Sequence, residues 1–88
     1  GLENSVYNNF IHNLTIYIQQ RQLVIKSDNN LQDIAFQILN LHGQKMNIYP
    51  LFSSEIGTYK INLDHLIPGL YIFQIQNKKE MWSMKFTI

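Results

Sequence analysis

Leu63-Asp64-His65-Leu66-Ile67-Pro68-Gly69-Leu70-Tyr71-Ile72-Phe73 is a proline-glycine turn that runs straight into an aromatic-rich strand. Proline cannot donate to a central ladder, so the strand begins after Pro68. Gly69 is expected to permit the turn, and a branched side chain there to damage folding. Leu70 to Ile75 carries apolar residues on both faces in its first half, as a strand near the centre of a sheet does. Just upstream, Thr58-Tyr59-Lys60-Ile61-Asn62-Leu63 alternates cleanly, with Tyr59, Ile61 and Leu63 on one side and Thr58, Lys60 and Asn62 on the other. That period belongs to a half-buried strand. Leu66, in the short crossover between the two, is placed to plug the end of the core.

The same pattern extends in both directions. Downstream, Asn77-Lys78-Lys79-Glu80 connects to Met81–Ile88, where Trp82, Met84, Phe86 and Ile88 share one face and Met81, Ser83, Lys85 and Thr87 the other. Upstream, Leu14–Ile18 alternates, Gln19-Gln20-Arg21 turns the chain, and Gln22–Lys26 is the next strand. A polar loop over Ser27–Gln32 precedes a strand at Asp33–Asn40, with Phe36 and Ile38 inward and Gln37 outward. His42-Gly43-Gln44 reverses the chain into Lys45–Tyr49, a hairpin partner that Pro50 ends or confines to an edge. Leu51–Ile56 reads as a loop. Gly1–Asn13 is a polar lead-in or linker whose Val6, Tyr7, Phe10 and Ile11 allow a helical turn or a segment along a sheet edge. A helical period also fits Ser5–Gln20, although β-branched Ile16 and Ile18 oppose it. The expected organisation is thus a lead-in over residues 1–13 and one all-β domain over 14–88, with six or seven strands in two packed antiparallel sheets.

Composition agrees. The 88 residues suffice for one core, and alanine occurs once while Ile, Leu, Phe and Tyr are abundant, a bias toward strands. A net charge of +1 with only 15% charged residues supplies no concentrated field for nucleic acid or an anionic membrane. No apolar run approaches the roughly 18 residues that span a bilayer. Ten asparagines and eight glutamines carry the polar surface, consistent with an extracytoplasmic protein. An exported chain of this kind is expected to have lost its leader ahead of Gly1. With no cysteine there is neither disulfide nor thiolate chemistry.

Catalytic and metal chemistry find little support. His12, His42 and His65 lie in the lead-in and in separate turns, without the close ligand pairs of zinc sites. Glu3, Asp28, Asp33, Glu55, Asp64 and Glu80 are dispersed, mostly in turns, and no serine or threonine sits in a nucleophile elbow. No cofactor is implied. Asn13-Leu14-Thr15 meets only the minimal glycosylation pattern. Among the aromatics, Tyr59, Tyr71 and Trp82 fit core packing, with Trp82→Ala expected to cost about 3–5 kcal/mol if the indole is buried. Tyr17, on the parity opposite Ile16 and Ile18, is the candidate for contact with a ligand such as carbohydrate.

The order of Leu23-Val24-Ile25, Phe36–Met46, Ile61-Asn62-Leu63 and Leu66–Ile72 resembles the type A C-terminal sorting domain of the type IX secretion system. In that family one segment is a strand ending in Asp, a turn with Gly, and a following apolar residue; here Asn40, Gly43 and Met46 hold those places, with Asn40 in place of the acid. A second signature, a leucine, a short turn and Gly-x-Tyr, falls on Leu66, Gly69 and Tyr71. Lys85 matches a basic residue of the last strand. Two departures are that Ile18-Gln19-Gln20 follows Tyr17 where the family has Pro-Asn-Pro, and that the chain ends Phe86-Thr87-Ile88 without a terminal lysine. The resemblance covers about Thr15 to Ile88 and implies an immunoglobulin-like β-sandwich. Such a domain directs an exported cargo from the periplasm across the outer membrane of a Bacteroidetes-type bacterium to the cell surface. Its implied partners are the type IX machinery and a sortase-like protease that removes the domain near the lead-in. The alternative is an accessory β-sandwich that binds carbohydrate or a surface protein.

Overall fold

Alternating segments become strands, nine of them among the described residues of the computed structural model. The structure describes residues 4–8, 14–27, 34–51, 55–78 and 80–88, with side chains from residue 14 onward. In chain order the strands are β1 (Asn4–Asn8), β2 (Leu14–Gln19), β3 (Gln22–Ser27), β4 (Ala35–Leu39), β5 (Lys45–Met46), β6 (Tyr49–Leu51), β7 (Thr58–Asn62), β8 (Leu70–Gln76) and β9 (Met81–Thr87). They form two antiparallel sheets, a five-stranded one in the order β1-β2-β3-β7-β6 and a four-stranded one in the order β5-β4-β8-β9. Glu3, His12, Asn13, Asp28 and Asp33, singled out above, lie outside the described residues, as does most of the 27–32 loop.

The five-stranded sheet buries one parity of β2, while β3 and β7 bury residues of both parities, Thr58 among them. Leu14, Ile16 and Ile18 of β2 are at most 3% exposed, and Leu23 and Ile25 of β3 are fully buried. Cross-strand pairing aligns Ile16 with Ile25, Ile18 with Leu23, and Leu23 with Ile61, so each row is a continuous aliphatic contact. Val24, on the other face, is also buried; it lies between Tyr17 and Lys60 on the neighbouring strands. The β2–β3 turn is tight, with Gln20 and Arg21 both at positive φ, 53° and 58°. That is the type I′ geometry which matches strand twist and which asparagine and glycine usually supply.

In the four-stranded sheet β8 is central, as its two-sided apolar pattern requires. Ile38 pairs with Phe73 and Phe73 with Met84, while Tyr71 pairs with Phe86. Phe36 stacks on Phe73 and Tyr71 on Phe86, each pair with ring centroids 5.8 Å apart. On the opposite face the Gln37 amide donates to that of Gln74, closing a polar pair across β4 and β8. Trp82 and Met84 share the parity of buried Phe86 but are only half-buried, since β9 is an edge strand. The cost of Trp82→Ala therefore falls below that expected for a buried indole.

Several expectations need correction. Strand β4 runs only from Ala35 to Leu39, with Ile34 and Asn40 outside it. The hairpin after Gly43 forms, pairing Leu39 with Lys45 and Ile38 with Met46, but it stops at Met46. Tyr49–Leu51 is not its continuation; it is β6, an edge strand of the other sheet paired with β7. Pro50 suits this position, because a residue without an N–H is tolerated on an edge. Leu51 belongs to β6 and not to a loop. In the lead-in, Asn4–Asn8 takes the edge-lying alternative, pairing with β2 from Asn4 opposite Gln19 to Asn8 opposite Thr15. Strands β1 and β6 take the count beyond six or seven.

Candidate functional site

The motif residues lie in turns, and each turn has its own chemistry. Asn40 follows β4, and its Oδ1 accepts from the backbone N–H groups of His42 at 2.9 Å and Gln44 at 3.0 Å. Its Nδ2 donates to Gln44 Oε1 at 2.8 Å. The Gly43 N–H donates to Asn40 O at 3.0 Å, and the Asn40 N–H to Gln44 O at 3.0 Å. This is a type I turn closed by a residue in the left-handed region, with asparagine at the first position and glycine at the fourth. Gly43 has φ +81° and open space around its Cβ position, so glycine is needed there for backbone conformation alone. An aspartate in place of Asn40 offers the same acceptor, so the acid of the family pattern and the amide here build one turn. Met46, half-buried, follows on β5.

A second cluster forms where β7 hands over to β8. The Arg21 Nη2 group donates to Leu66 O at 3.1 Å and to Leu63 O at 3.4 Å, and Arg21 Nε pairs with Asp64 Oδ1 at 3.2 Å. The Leu63 N–H returns a bond to Arg21 O at 2.9 Å. One arginine thus ties the β2–β3 turn to the Leu63–Leu66 turn and satisfies its carbonyls. Asn62 Oδ1 accepts the Asp64 N–H at 2.9 Å, and the Leu66 N–H donates to Leu63 O at 3.0 Å. Leu66, 3% exposed, is thereby turned inward as expected. Arg21 carried no signal in the sequence, because its carbonyl partners lie 42 and 45 residues away.

Tyr71 is 7% exposed, and its hydroxyl donates to Ile67 O at 2.5 Å, pinning the approach to β8. Gly69 and Ile88 exchange backbone bonds at 3.0 and 3.2 Å, extending the β8–β9 ladder by one pair. Gly69 is not at positive φ, and a Cβ there would meet only Ile67 O at 3.9 Å. The expectation that this turn requires glycine is therefore wrong, since neither strain nor crowding forbids a side chain. Besides Gly43, the fold requires glycine at Gly57, which the sequence pattern passed over. It has φ +80°, its carbonyl accepts the Ser27 N–H at 2.8 Å, and an added Cβ would lie 2.5 Å from Ser27 O. Its position immediately before the cleanest alternation was the available signal.

Around Gly69 the surface is apolar and open, with Ile67 77% and Leu70 36% exposed. Lys85 is exposed on β9, opposite Ile72. Tyr17 is half-buried, with Lys26 Nζ 5.7 Å from its ring centroid. His65 meets Tyr49 edge-on at 4.6 Å, and Asp64 is engaged with Arg21. Among the described residues no three His, Cys, Asp or Glu side chains are grouped to hold a metal ion.

No curated protein matches the chain. Residues 12–88 match the family described as the secretion system C-terminal sorting domain. This range takes in the Asn40–Gly43 turn, the Leu66–Tyr71 turn and the closing strand β9. The chain belongs to that family, the type IX sorting domains, and is a non-catalytic module for sorting and anchoring that works with the type IX system on an exported, cell-surface route.

Proposed function

We propose that the module divides its motif residues between two tasks. Asn40, Gly43, Met46, Leu66 and Tyr71 act through the fold, building turns and filling the core. Gly69 and Lys85 are what the secretion machinery recognises. The observation that carries this division is Gly69, an exposed glycine at a position where the backbone neither needs nor favours one. A bare backbone between exposed Ile67 and Leu70 gives a partner close access to an apolar patch.

The domain itself is an immunoglobulin-like sandwich over residues 14–88. Strand orders β2-β3-β7-β6 and β4-β8-β9 correspond to the ABED and CFG arrangements of that fold, which supports the reading. So does the Tyr71 hydroxyl bonded back to Ile67 O, in the manner of a tyrosine corner. The lead-in over 1–13 is the junction with cargo, where a sortase-like protease cuts after passage through the periplasm. Tyr17 contributes to sheet packing: a sugar-binding platform needs an open ring face, and Lys26 lies over this one. The accessory role of binding carbohydrate or a surface protein is thus the weaker alternative.

The test places Gly69→Ala and Lys85→Ala chains behind a reporter in a type IX-competent host. Surface display should fall while urea midpoints stay unchanged. Full display from both variants would refute the recognition role. Intact-mass analysis of the released domain should place the cut within residues 1–13, and a cut elsewhere would refute the junction.

A further inference from the structure

We propose that β1 is a detachable cover over an adhesive sheet edge, and that β2, once uncovered, pairs with β2 of a second copy of this chain. Strand edges present unpaired N–H and C=O groups, and proteins blunt them with brevity, proline or charge. Three of the edges here carry such a device. Strand β5 has two residues and begins with Lys45, β6 has three with Pro50 in the middle, and β9 carries Lys85. Leu14-Thr15-Ile16-Tyr17-Ile18-Gln19 has none: six residues, uncharged, without proline or glycine, and rich in strand-forming side chains. It is the strand that β1 covers, in register along all five of its residues.

The cover is poorly suited to hold. Asn4-Ser5-Val6-Tyr7-Asn8 is short and contains two asparagines and a serine, weak strand formers. It also lies ahead of the family match, which starts at residue 12, so the family domain proper begins at the edge that needs covering. A second copy suits the bare edge because β2 offers no like charges to oppose one another. A two-fold axis through Ile16, perpendicular to the sheet, sets Leu14 against Ile18 and Thr15 against Tyr17, apolar or neutral at every pair. Events that lift or cut the lead-in therefore expose a self-pairing surface.

The experiment uses the full chain with Val6→Pro and Tyr7→Pro together. Adjacent residues of an antiparallel strand alternate between bonded and non-bonded positions, so one of the two prolines removes a ladder donor whatever the phase. Sedimentation should show a concentration-dependent dimer where wild type is monomeric, and adding Thr15→Lys should return it to monomer. A monomer at all concentrations, or wild type associating equally, overturns the proposal. Hydrogen exchange on wild type gives an independent reading should the proline variant not fold. The β2 amides facing β1 should exchange together with those of β1 and ahead of those facing β3; equal rates for both β2 sets overturn the cover role.

Discussion

Replacing each of three glycines in turn by alanine separates the physical demands that the fold makes on them. At Gly57 the new methyl meets two penalties. A left-handed φ of +80° costs an L-residue about 1–2 kcal/mol. The Cβ would also sit 2.5 Å from Ser27 O, a backbone atom that cannot rotate away. Moving it strains or breaks the 2.8 Å bond from the Ser27 N–H to Gly57 O, which is worth about 0.5–1.5 kcal/mol. Together these give a loss of about 1.5–3.5 kcal/mol, a large share of the roughly 5–15 kcal/mol that holds a domain folded. Gly43→Ala meets only the first penalty, about 1 kcal/mol, since nothing lies within 4 Å of its Cβ position. Gly69→Ala meets neither and is expected within about 0.5 kcal/mol of wild type, because restricting the unfolded chain opposes any small native cost. Urea unfolding followed by the fluorescence of Trp82 measures all three. In thermal melts the Gly57 variant should lose about 10–25 °C. A Gly57→Ala midpoint equal to that of Gly43→Ala would refute the steric argument.

Arg21→Ala should destabilise by about 1–2 kcal/mol, because it strips donors from two carbonyls of the Leu63–Leu66 turn, whereas Asp64→Ala should cost under about 0.5 kcal/mol, since that ion pair is exposed and screened; equal losses in urea would contradict the assignment. Asn40→Asp should be nearly neutral and Asn40→Ala should cost about 1–2 kcal/mol, because only alanine removes the acceptor shared by His42 and Gln44; thermal melts distinguish them. Tyr71→Phe should keep the stacking on Phe86 and lose about 1 kcal/mol with the bond to Ile67 O, a difference that chemical denaturation resolves.

Local periodicity made most of the strands legible. Thr58–Leu63 and Met81–Ile88 reached nearly full length from alternation and Leu70–Ile75 from its two-sided apolar run after Pro68-Gly69, and Asn40 with Gly43 announced their hairpin because all the bonds of that turn are local. Strand β6 escaped because it is too short to alternate, whereas an edge-lying segment in the lead-in and an edge position for Pro50 were each one of two alternatives that periodicity left open. The errors at glycines had one cause: whether a turn needs glycine depends on φ and on what faces the missing Cβ. Pro68-Gly69 invited the inference and Ile56-Gly57 did not, yet Ser27 O crowds only the latter. Arg21 was invisible for the same reason, since its partners come together only when the hairpin and the β7–β8 turn are both in place.

Export itself is the most direct measurement. The full chain fused behind a periplasmic reporter in a type IX-competent host should deliver the reporter to the cell surface, and removal of Lys85–Ile88, which deletes buried Phe86 and the Gly69–Ile88 pair, should abolish delivery. A reporter that stays in the periplasm with the intact chain folded would contradict the assignment of this module as a sorting domain.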